Sequence, residues 1–337
     1  MNQLPATAIS PDFSSNIRSV RRLLWYSGCG VLLRNIRNEL PGGASSRMGT
    51  QAALETVPRV SSYEADKEAA REIQYSLVPS GNLISPGVEV AFRFSPFAEV
   101  GGDFTDFFQL PNGLVGLYLG DVVGKGVAAA MYAALVMGTI RGINKTGEDT
   151  AAVLTLLNKR LLVRPISGRY CATLYALFDP ITRQLTFSNA GLPHPVLVSN
   201  GRYSRLGEGG LPSAVFPGSS YDKYTVRLAP GDSVLFATDG LHELRNQRDE
   251  DFSWDRLGEL WCECTRKTAD ESLDHLFEGA KSFSNGSGPQ DDVTAVALKV
   301  PIEPEAGSVR NSPEGVASLD NNFESSSELP VCAAISL

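Results

Sequence analysis

Short blocks of hydrophobic residues, separated by polar turn residues, fill the middle of the chain. The apolar runs 107–110 and 114–119 flank a Pro-Asn-Gly turn, which predicts a β-hairpin. Further runs bounded by Gly, Pro, Asn or Asp predict more strands. These runs are 171–178, 185–188, 195–199, 224–228, 233–237 and 293–298. Many strands with few long helices favour a sandwich of two antiparallel sheets.

Helical spacing of apolar residues appears between and around these strands. Segment 127–141 is rich in helix formers and apolar on most sides, which predicts a largely buried helix. Segment 149–162 shows apolar residues at helical spacing. The amphipathic stretches 254–262 and 272–283 predict helices whose Trp, Leu and Phe residues face the core. The charged run 61–77 predicts one more helix.

Composition narrows the class of protein. The chain has 337 residues, of which 42% are hydrophobic and 20% charged, as is typical of a globular protein. The length allows one domain of about 230 residues with extensions, or two small domains. The net charge of −8 argues against broad nucleic-acid binding, and no apolar run reaches membrane-spanning length. Five scattered cysteines give no zinc or disulfide pattern and favour reduced thiols in a cytosolic protein.

Aspartates stand at the ends of several predicted elements. Asp103 follows a Gly pair, Asp121 opens a Gly-rich loop after the hairpin, Asp239 precedes a Gly, and Asp291 begins an Asp-Asp pair. Taken singly, each is more often a turn residue, because Asp beside Gly is ordinary turn chemistry. Magnesium and manganese prefer oxygen ligands, and carboxylates at neighbouring strand ends can share an ion. The set therefore predicts a two-metal site for phosphate chemistry.

The Gly-rich loop 120–126 invites comparison with a phosphate-binding P-loop, since it follows a strand, contains Lys125 and opens a helix. The spacing of its residues differs from that of a P-loop. Three residues rather than four separate its first Gly from the Gly-Lys pair, and Gly126 stands where a hydroxyl residue is required. Lys125 can steer an anionic substrate, but a solvated loop lysine is the favoured interpretation.

In their order along the chain, these motifs resemble the metal-dependent Ser/Thr protein phosphatases of type 2C. The similarity is to the bacterial branch that contains the stage II sporulation phosphatase and the sigma-factor regulators, and it spans roughly residues 70–300. The matching pieces are 73–79, 100–108, 120–126, 172–175, 189–191, 238–240 and 291–294. The resemblance implies an α+β fold, a four-layer α/β/β/α sandwich in which helices flank two antiparallel sheets.

The resemblance also implies a site for two Mn²⁺ or Mg²⁺ ions. Asp121 would bridge the ions, and the backbone carbonyl of Val122 would contact metal. Asp103 would serve one ion, while Asp239 and Asp291 serve the other. Asp103, Asp121 and Asp239 are accordingly the predicted catalytic residues. A water or hydroxide held between the ions would attack phosphorus, so no protein nucleophile is required.

Three departures from the family pattern concern side chains near this site. His194 lies two positions later than the family's histidine, and a loop histidine is the favoured interpretation. His242 replaces a small or hydroxyl residue and could tune a metal-bound water. The arginine that grips phosphate in eukaryotic members has no evident counterpart. The metals are therefore expected to carry most of the phosphate binding.

The implied substrate is a phosphoserine or phosphothreonine of a partner protein, by family analogy an anti-sigma factor antagonist in a partner-switching pathway. The alternative is a catalytically inactive pseudophosphatase that acts as a binding module on the same fold. A phosphatase for small phosphomonoesters is a weaker alternative. The presence of all four expected aspartates favours the enzyme. No nucleic acid and no transmembrane segment are expected.

The two ends of the chain differ from its middle. Residues 1–60 surround a short apolar stretch with arginines, which leaves open a targeting peptide, a weak membrane-surface anchor, or sequence upstream of a true start at Met48. We favour a poorly ordered or partner-binding segment of a cytoplasmic protein. The family resemblance implies that segment 61–79 is a linker helix that transmits signals from an upstream sensor and supports a homodimer, and the alternative is a plain solvated helix. The phosphatase domain is expected at 80–300, and the Ser- and Glu-rich residues 301–337 are expected to be disordered.

Overall fold

The computed structural model describes residues 51–302 apart from residue 145, with side chains from residue 64 onward. Within that range the helices are α1 Gln51–Leu77, α2 Val127–Ile143, α3 Thr150–Leu161, α4 Asp239–His242, α5 Trp254–Cys262 and α6 Ala269–Ser284. The strands are β1 Leu83–Ser85, β2 Val88–Ser95, β3 Phe104–Gln109, β4 Val115–Val122, β5 Cys171–Asp179, β6 Gln184–Ala190, β7 Val196–Ser199, β8 Arg202–Arg205, β9 Tyr224–Arg227, β10 Ser233–Ala237 and β11 Val293–Lys299.

The strands form two antiparallel sheets that pack face to face. One sheet has the order β1-β2-β11-β10-β7-β8 and the other has the order β3-β4-β5-β6-β9. Leu117 and Leu174 of one sheet share a buried cluster with Val296 of the other, so the central core lies between the sheets. Helices α2 and α3 cover the outer face of the five-stranded sheet, and α5 and α6 cover the outer face of the six-stranded sheet. The predicted α+β four-layer sandwich is confirmed.

The hairpin and most helices lie where the hydrophobic pattern predicts them, but the burial of α2 differs. Its inward face buries Tyr132, Val136 and Ile140 against the sheet and α3. Its outward face leaves Met131 71% and Leu135 50% exposed. The prediction of a largely buried helix is therefore wrong for one face, because a helix lying on a sheet has only one side to bury.

Three strands were absent from the sequence-based prediction. Strand β1 has only three residues, and the edge strand β8, with the sequence Arg-Tyr-Ser-Arg, is mostly exposed. Strand β2 carries Arg93 in its second half, where it pairs with Asp270 and Asp274 of α6. The short β1 and the polar β8 lack the apolar alternation on which such a prediction depends. Strand β2, with the sequence Val-Glu-Val-Ala-Phe-Arg-Phe-Ser, does carry an apolar residue at every second position and was missed despite that signal.

The ends of the described range bear on the predicted organisation. Helix α1 begins at Gln51 and ends at Leu77, so it starts before the predicted segment 61–79. The predictions for residues 1–50 and 303–337 fall outside the described residues. In the range that is described, no helix is both long and apolar enough to cross a membrane. Cys171, Cys262 and Cys264 are free thiols, as the cysteine spacing predicted for them.

Candidate active site

Two of the predicted ligands, Asp103 and Asp121, meet at one end of the β3–β4 hairpin. Asp121 is the penultimate residue of β4, and Asp103 directly precedes β3. The Val122 amide donates to the Gly102 carbonyl at 3.2 Å, which continues the strand register past the end of β3. Asp103 therefore lies opposite Asp121, and opposed residues of an antiparallel pair project from the same face. The sheet itself brings these two carboxylates together.

Asp103 is buried among like charges. Its side chain is 2% exposed. Burial, followed by the negative charges of Asp121 and Asp292, holds the pKa of the Asp103 carboxyl well above its ordinary value. A hydroxyl from Thr238 donates to the carboxylate at 2.8 Å, which offsets only part of this cost. A buried carboxylate surrounded by carboxylates is stabilised by a proton or a cation, so this donor set fits a divalent metal ion.

The backbone around Val122 adds oxygen donors to this end of the sheet. A Cβ at Gly102 would lie 2.6 Å from the Val122 carbonyl oxygen and 3.2 Å from that of Gly124. Only glycine permits so close an approach of two loop carbonyls to the chain before Asp103. Carbonyl oxygens are hard ligands of the kind that magnesium and manganese accept. Gly102, directly before Asp103, is therefore required on steric grounds.

Asp292, rather than its neighbour Asp291, is the buried member of the Asp-Asp pair. Its carboxylate accepts hydrogen bonds from the backbone amides of Phe97 at 2.7 Å and Gly102 at 2.6 Å. A Cβ at Gly101 would lie 2.4 Å from that carboxylate, so the first glycine of the pair also has a steric role. Burial raises the pKa of Asp292. The paired acids mark this place in the sequence, but the role of Asp292 becomes visible only through its backbone partners Phe97 and Gly102.

The other two predicted ligands occupy different surroundings. Asp239 is the partly buried first residue of α4. Asp291 is exposed and forms an ion pair with Lys125 at 3.2 Å. Lys125 also donates to the Gln290 carbonyl and lies 4.5 Å from the centre of the Phe97 ring. Lys125 is exposed in the loop, as its interpretation as a solvated lysine expects, and these contacts hold it beside Asp291.

Not all four predicted aspartates converge. The charges of Asp121 and Asp292 both act on the buried carboxyl of Asp103. Nowhere in the described range, however, do three or more His, Cys, Asp or Glu side chains form a complete ligand group. The structure thus places Asp103 and Asp121 opposite each other on the five-stranded sheet, while Asp239 follows β10 and Asp291 precedes β11 of the six-stranded sheet.

Thr238 is a site residue that sequence reasoning did not identify. It is fully buried between β10 and α4, and its backbone amide donates to the Thr294 carbonyl at 2.9 Å. Its hydroxyl accepts from the Thr294 amide at 3.0 Å and donates to Asp103. One hydroxyl thereby joins both sheets at the site. The available signal was a Thr directly before an Asp-Gly pair at a strand end.

Gln74 is a second residue that was missed. It is 6% exposed and lies in the last turn of α1. Its side-chain amide donates to the Gly101 carbonyl at 2.8 Å, and its side-chain oxygen accepts from the Gly101 amide at 3.0 Å. Arg141 of α2 also donates to the Leu77 carbonyl at the end of α1, at 2.6 Å. The end of α1 is therefore tied to the Gly pair that precedes Asp103.

The two histidines of interest lie on the six-stranded sheet. His194 and His242 line a small cavity together with Val196, Leu235 and Trp254. The His194 Nδ1 atom is buried, and no hydrogen-bond partner for it occurs among the described residues. His194 lies in the irregular segment before β7, and His242 is the last residue of α4.

Comparison with known proteins places the chain in a phosphatase family. A family model described as stage II sporulation protein E (SpoIIE) matches residues 111–301. Protein IcfG from Synechocystis sp. is 26% identical over 282 residues, which cover 75% of this chain and 44% of that protein. The phosphoserine phosphatase RsbU of Bacillus subtilis is 21% identical over 186 residues, which cover 55% of each chain. The present chain spans about half the length of these two curated relatives.

Solved structures give the same fold. The PP2C domain of SiaA from Pseudomonas aeruginosa superposes with a TM-score of 0.62 at 19% identity, covering 75% of this chain and 99% of that domain. At this level of identity the similarity establishes the architecture, and functional roles must be argued from the residues themselves.

Proposed function

The chain belongs to the stage II sporulation protein E family of type 2C phosphatases, and on that premise we propose that it is a Mn²⁺- or Mg²⁺-dependent protein phosphatase. Its substrate would be a phosphoserine or phosphothreonine of a partner protein. The name of the relative RsbU, a phosphoserine phosphatase, supports this substrate class. By analogy, the partner would be an anti-sigma factor antagonist in a partner-switching pathway of the cytoplasm.

The observation that carries the proposal is the opposed pair Asp103 and Asp121. A fold gains no stability from burying one carboxylate beside others, as the raised pKa of Asp103 indicates. Such groupings are concentrated at functional sites, where a cation or a reaction compensates for the charge. The pair therefore supports metal-assisted chemistry at this end of the sandwich.

The proposed metal ligands are the predicted ones: Asp103, Asp121, the Val122 carbonyl, Asp239 and Asp291. When bound, two divalent ions supply a water of lowered pKa and neutralise charge on the phosphoryl oxygens. The protein's own part is to hold the ligands in place. Thr238 fixes the orientation of Asp103, Asp292 anchors the Gly102 backbone, and Lys125 holds Asp291 near the Gly-rich loop.

The contacts of α1 support a regulatory role for this helix. Gln74 holds both backbone groups of Gly101, two residues before Asp103. A movement of α1 would therefore displace the chain that carries a proposed ligand. The proposal that segment 61–79 also supports a homodimer rests on family analogy.

The test is hydrolysis of a phosphoserine peptide by the purified full-length chain, with Mn²⁺ and with EDTA. We expect metal-dependent release of phosphate, and a loss of roughly a thousandfold or more in Asp121→Asn, because losing a shared ligand removes several kcal/mol of transition-state stabilisation. The matched control is Asp222→Asn, which changes an exposed acid in the loop before β9. Circular dichroism of all three proteins checks that the fold is intact.

The alternatives give different results in the same assay. Mn²⁺ binding and phosphopeptide capture without turnover would identify a pseudophosphatase. Turnover of a small aryl phosphate but not of phosphopeptides would identify a phosphatase of small phosphomonoesters. Full activity of Asp121→Asn would contradict the two-metal mechanism.

A further inference from the structure

Arg169 lies directly beside the loop that follows Asp121. The Val123 amide donates to the Tyr170 carbonyl at 3.1 Å, which extends the pairing of β4 with β5 beyond the ends of both strands. By this register, Gly124 stands opposite Arg169. A residue that precedes β5 is thereby brought to the loop of the proposed metal site.

The guanidinium of Arg169 is held against the backbone of this loop. Its Nη1 atom donates to the Val123 carbonyl at 2.6 Å. A Cβ at Gly124 would lie 2.5 Å from Nη1, and the φ of Gly124 is +98°. Any other residue at 124 would be strained and would displace the guanidinium. Gly124 thus makes room for an arginine head group next to the site.

Arg169 differs from Lys125, the other cation of this region. Lys125 is engaged by Asp291 and by the Gln290 carbonyl. Arg169 is partly exposed, and no carboxylate of the described residues forms an ion pair with it. A guanidinium has five N–H donors arranged as a planar fork, so donors are available after the bond to Val123. Such a fork matches the oxygens of a phosphoryl group.

The surrounding charges favour an anion at this position. The site is lined by Asp103, Asp121 and Asp292, which repel a phosphoryl dianion. The segment 159–169 carries four basic residues and no acid. Arg169 is a fixed cation between the rest of this basic segment and the acidic site. An incoming phosphate ester would first be stabilised there.

We infer that Arg169 is a substrate-binding residue that donates hydrogen bonds to the phosphoryl group of a phosphoserine or phosphothreonine segment. This inference rests on the proposed function and deepens it. It also revises the expectation that the metals alone carry most of the phosphate binding. The bond to the Val123 carbonyl preorganises the guanidinium, so little side-chain freedom is lost when phosphate binds.

The experiment compares Arg169→Met and Arg169→Lys with wild type, using inorganic phosphate as a competitive inhibitor of phosphoserine-peptide hydrolysis in Mn²⁺. Loss of a charge-assisted fork should weaken phosphate inhibition and raise KM by about tenfold or more, with Arg169→Lys intermediate because it keeps the charge without the fork. Arg164→Met removes an exposed positive charge from the same segment and should change neither constant. Mn²⁺ affinity, measured separately, should stay at the wild-type value in all variants.

Each other outcome has a definite meaning. If Arg169→Met keeps the wild-type phosphate inhibition constant and KM, the assignment of Arg169 is wrong while the phosphatase function stands. If Arg169→Met instead weakens Mn²⁺ binding, the residue only positions the loop, and the inference is again wrong. If wild type itself neither hydrolyses the peptide nor binds phosphate, the proposed function fails first and the inference fails with it.

Discussion

The two ends of strand β11 show opposite ways of burying charge. At its start, Asp292 is 4% exposed and adds its negative charge to that of Asp103. At its end, Lys299 is equally buried at 4% exposure. The Lys299 Nζ atom donates to the carbonyls of Cys264 and Lys267 and to the Ser272 hydroxyl at 2.5 to 2.8 Å. The first end collects like charges, whereas the second surrounds a charge with acceptors.

This difference separates a stabilising contact from a functional one within a single strand. Lys299 donates to two carbonyls of the turn after α5 and to the Ser272 hydroxyl of α6, so it joins that turn to α6 and contributes to folding. The carboxylates at the other end oppose folding unless something else binds there. Burial alone therefore does not identify a site. The sign of the charges around a buried group distinguishes a functional site from a stabilising contact.

The sharpest way to test the comparison is Lys299→Met, which should cost the most stability. Methionine fills similar space but cannot donate to the Cys264 and Lys267 carbonyls or to the Ser272 hydroxyl, and we expect the loss of these three bonds to lower the free energy of unfolding by about 3 kcal/mol. Urea unfolding measures this as a lower midpoint at unchanged slope. Phosphopeptide turnover by the folded fraction should match that of wild type, since the change is remote from the proposed ligands.

Lys267→Met provides the control for this variant. The Lys267 side chain is exposed, and its carbonyl, which accepts from Lys299, is unaffected by the change. Its unfolding free energy should differ from wild type by less than about 0.5 kcal/mol. Equal stability of Lys299→Met and Lys267→Met would mean that the acceptors around Lys299 contribute nothing.

Sequence reasoning recovered the two ends of β11 unequally. The apolar run and the preceding Asp-Asp pair were visible, and so were the sheets and four of the outer helices. The role of Asp292 could not be predicted, because its partners Phe97 and Gly102 lie far away in the chain and donate through backbone amides. Lys299 was invisible for the same reason, since its acceptors come from a turn that the hydrophobic pattern does not describe.

The same limit applies to the proposed site. A glycine directly before each of Asp103 and Asp121 helped to mark both as candidate ligands in the sequence. Which residues orient them depends on contacts between sheets, such as that of Thr238 with Asp103. The position of Thr238 before an Asp-Gly pair marks a strand end, but its bond to Asp103 spans 135 residues of the chain and cannot be predicted from that motif.

Asp103→Asn should change the free energy of unfolding by less than Lys299→Met does, and it should raise this free energy rather than lower it. In metal-free protein, the amide removes a buried charge but can still accept from Thr238, so the free energy of unfolding should rise by about 1 to 2 kcal/mol. Thermal unfolding in EDTA measures the stability of the metal-free protein, and thermal unfolding in Mn²⁺ measures the stabilisation by the bound ion. Mn²⁺ should raise the melting temperature of wild type and have little effect on the variant.

The control for that comparison is Asp222→Asn, an exposed acid that should leave both melting temperatures unchanged. A metal-free Asp103→Asn protein that is less stable than wild type would contradict the view that this end of β11 is strained by charge. It would instead group Asp103 with Lys299 as a stabilising buried residue.

The smallest expected effect is the pH dependence of the Lys299 end. Burial lowers the pKa of Lys299 below its ordinary value of 10.5. Between the folded pKa of Lys299 and 10.5, the unfolded chain binds more protons than the folded chain. The contribution of Lys299 to stability therefore grows as pH rises through this range. It is lost as pH falls through the folded pKa. The stability difference between wild type and Lys299→Met should therefore widen from about pH 7 to about pH 10, as urea unfolding at each pH would show. A difference that stays constant over this range would mean that the three acceptors fully compensate for the burial of the charge, and the two ends of β11 would then differ even more than their geometry indicates.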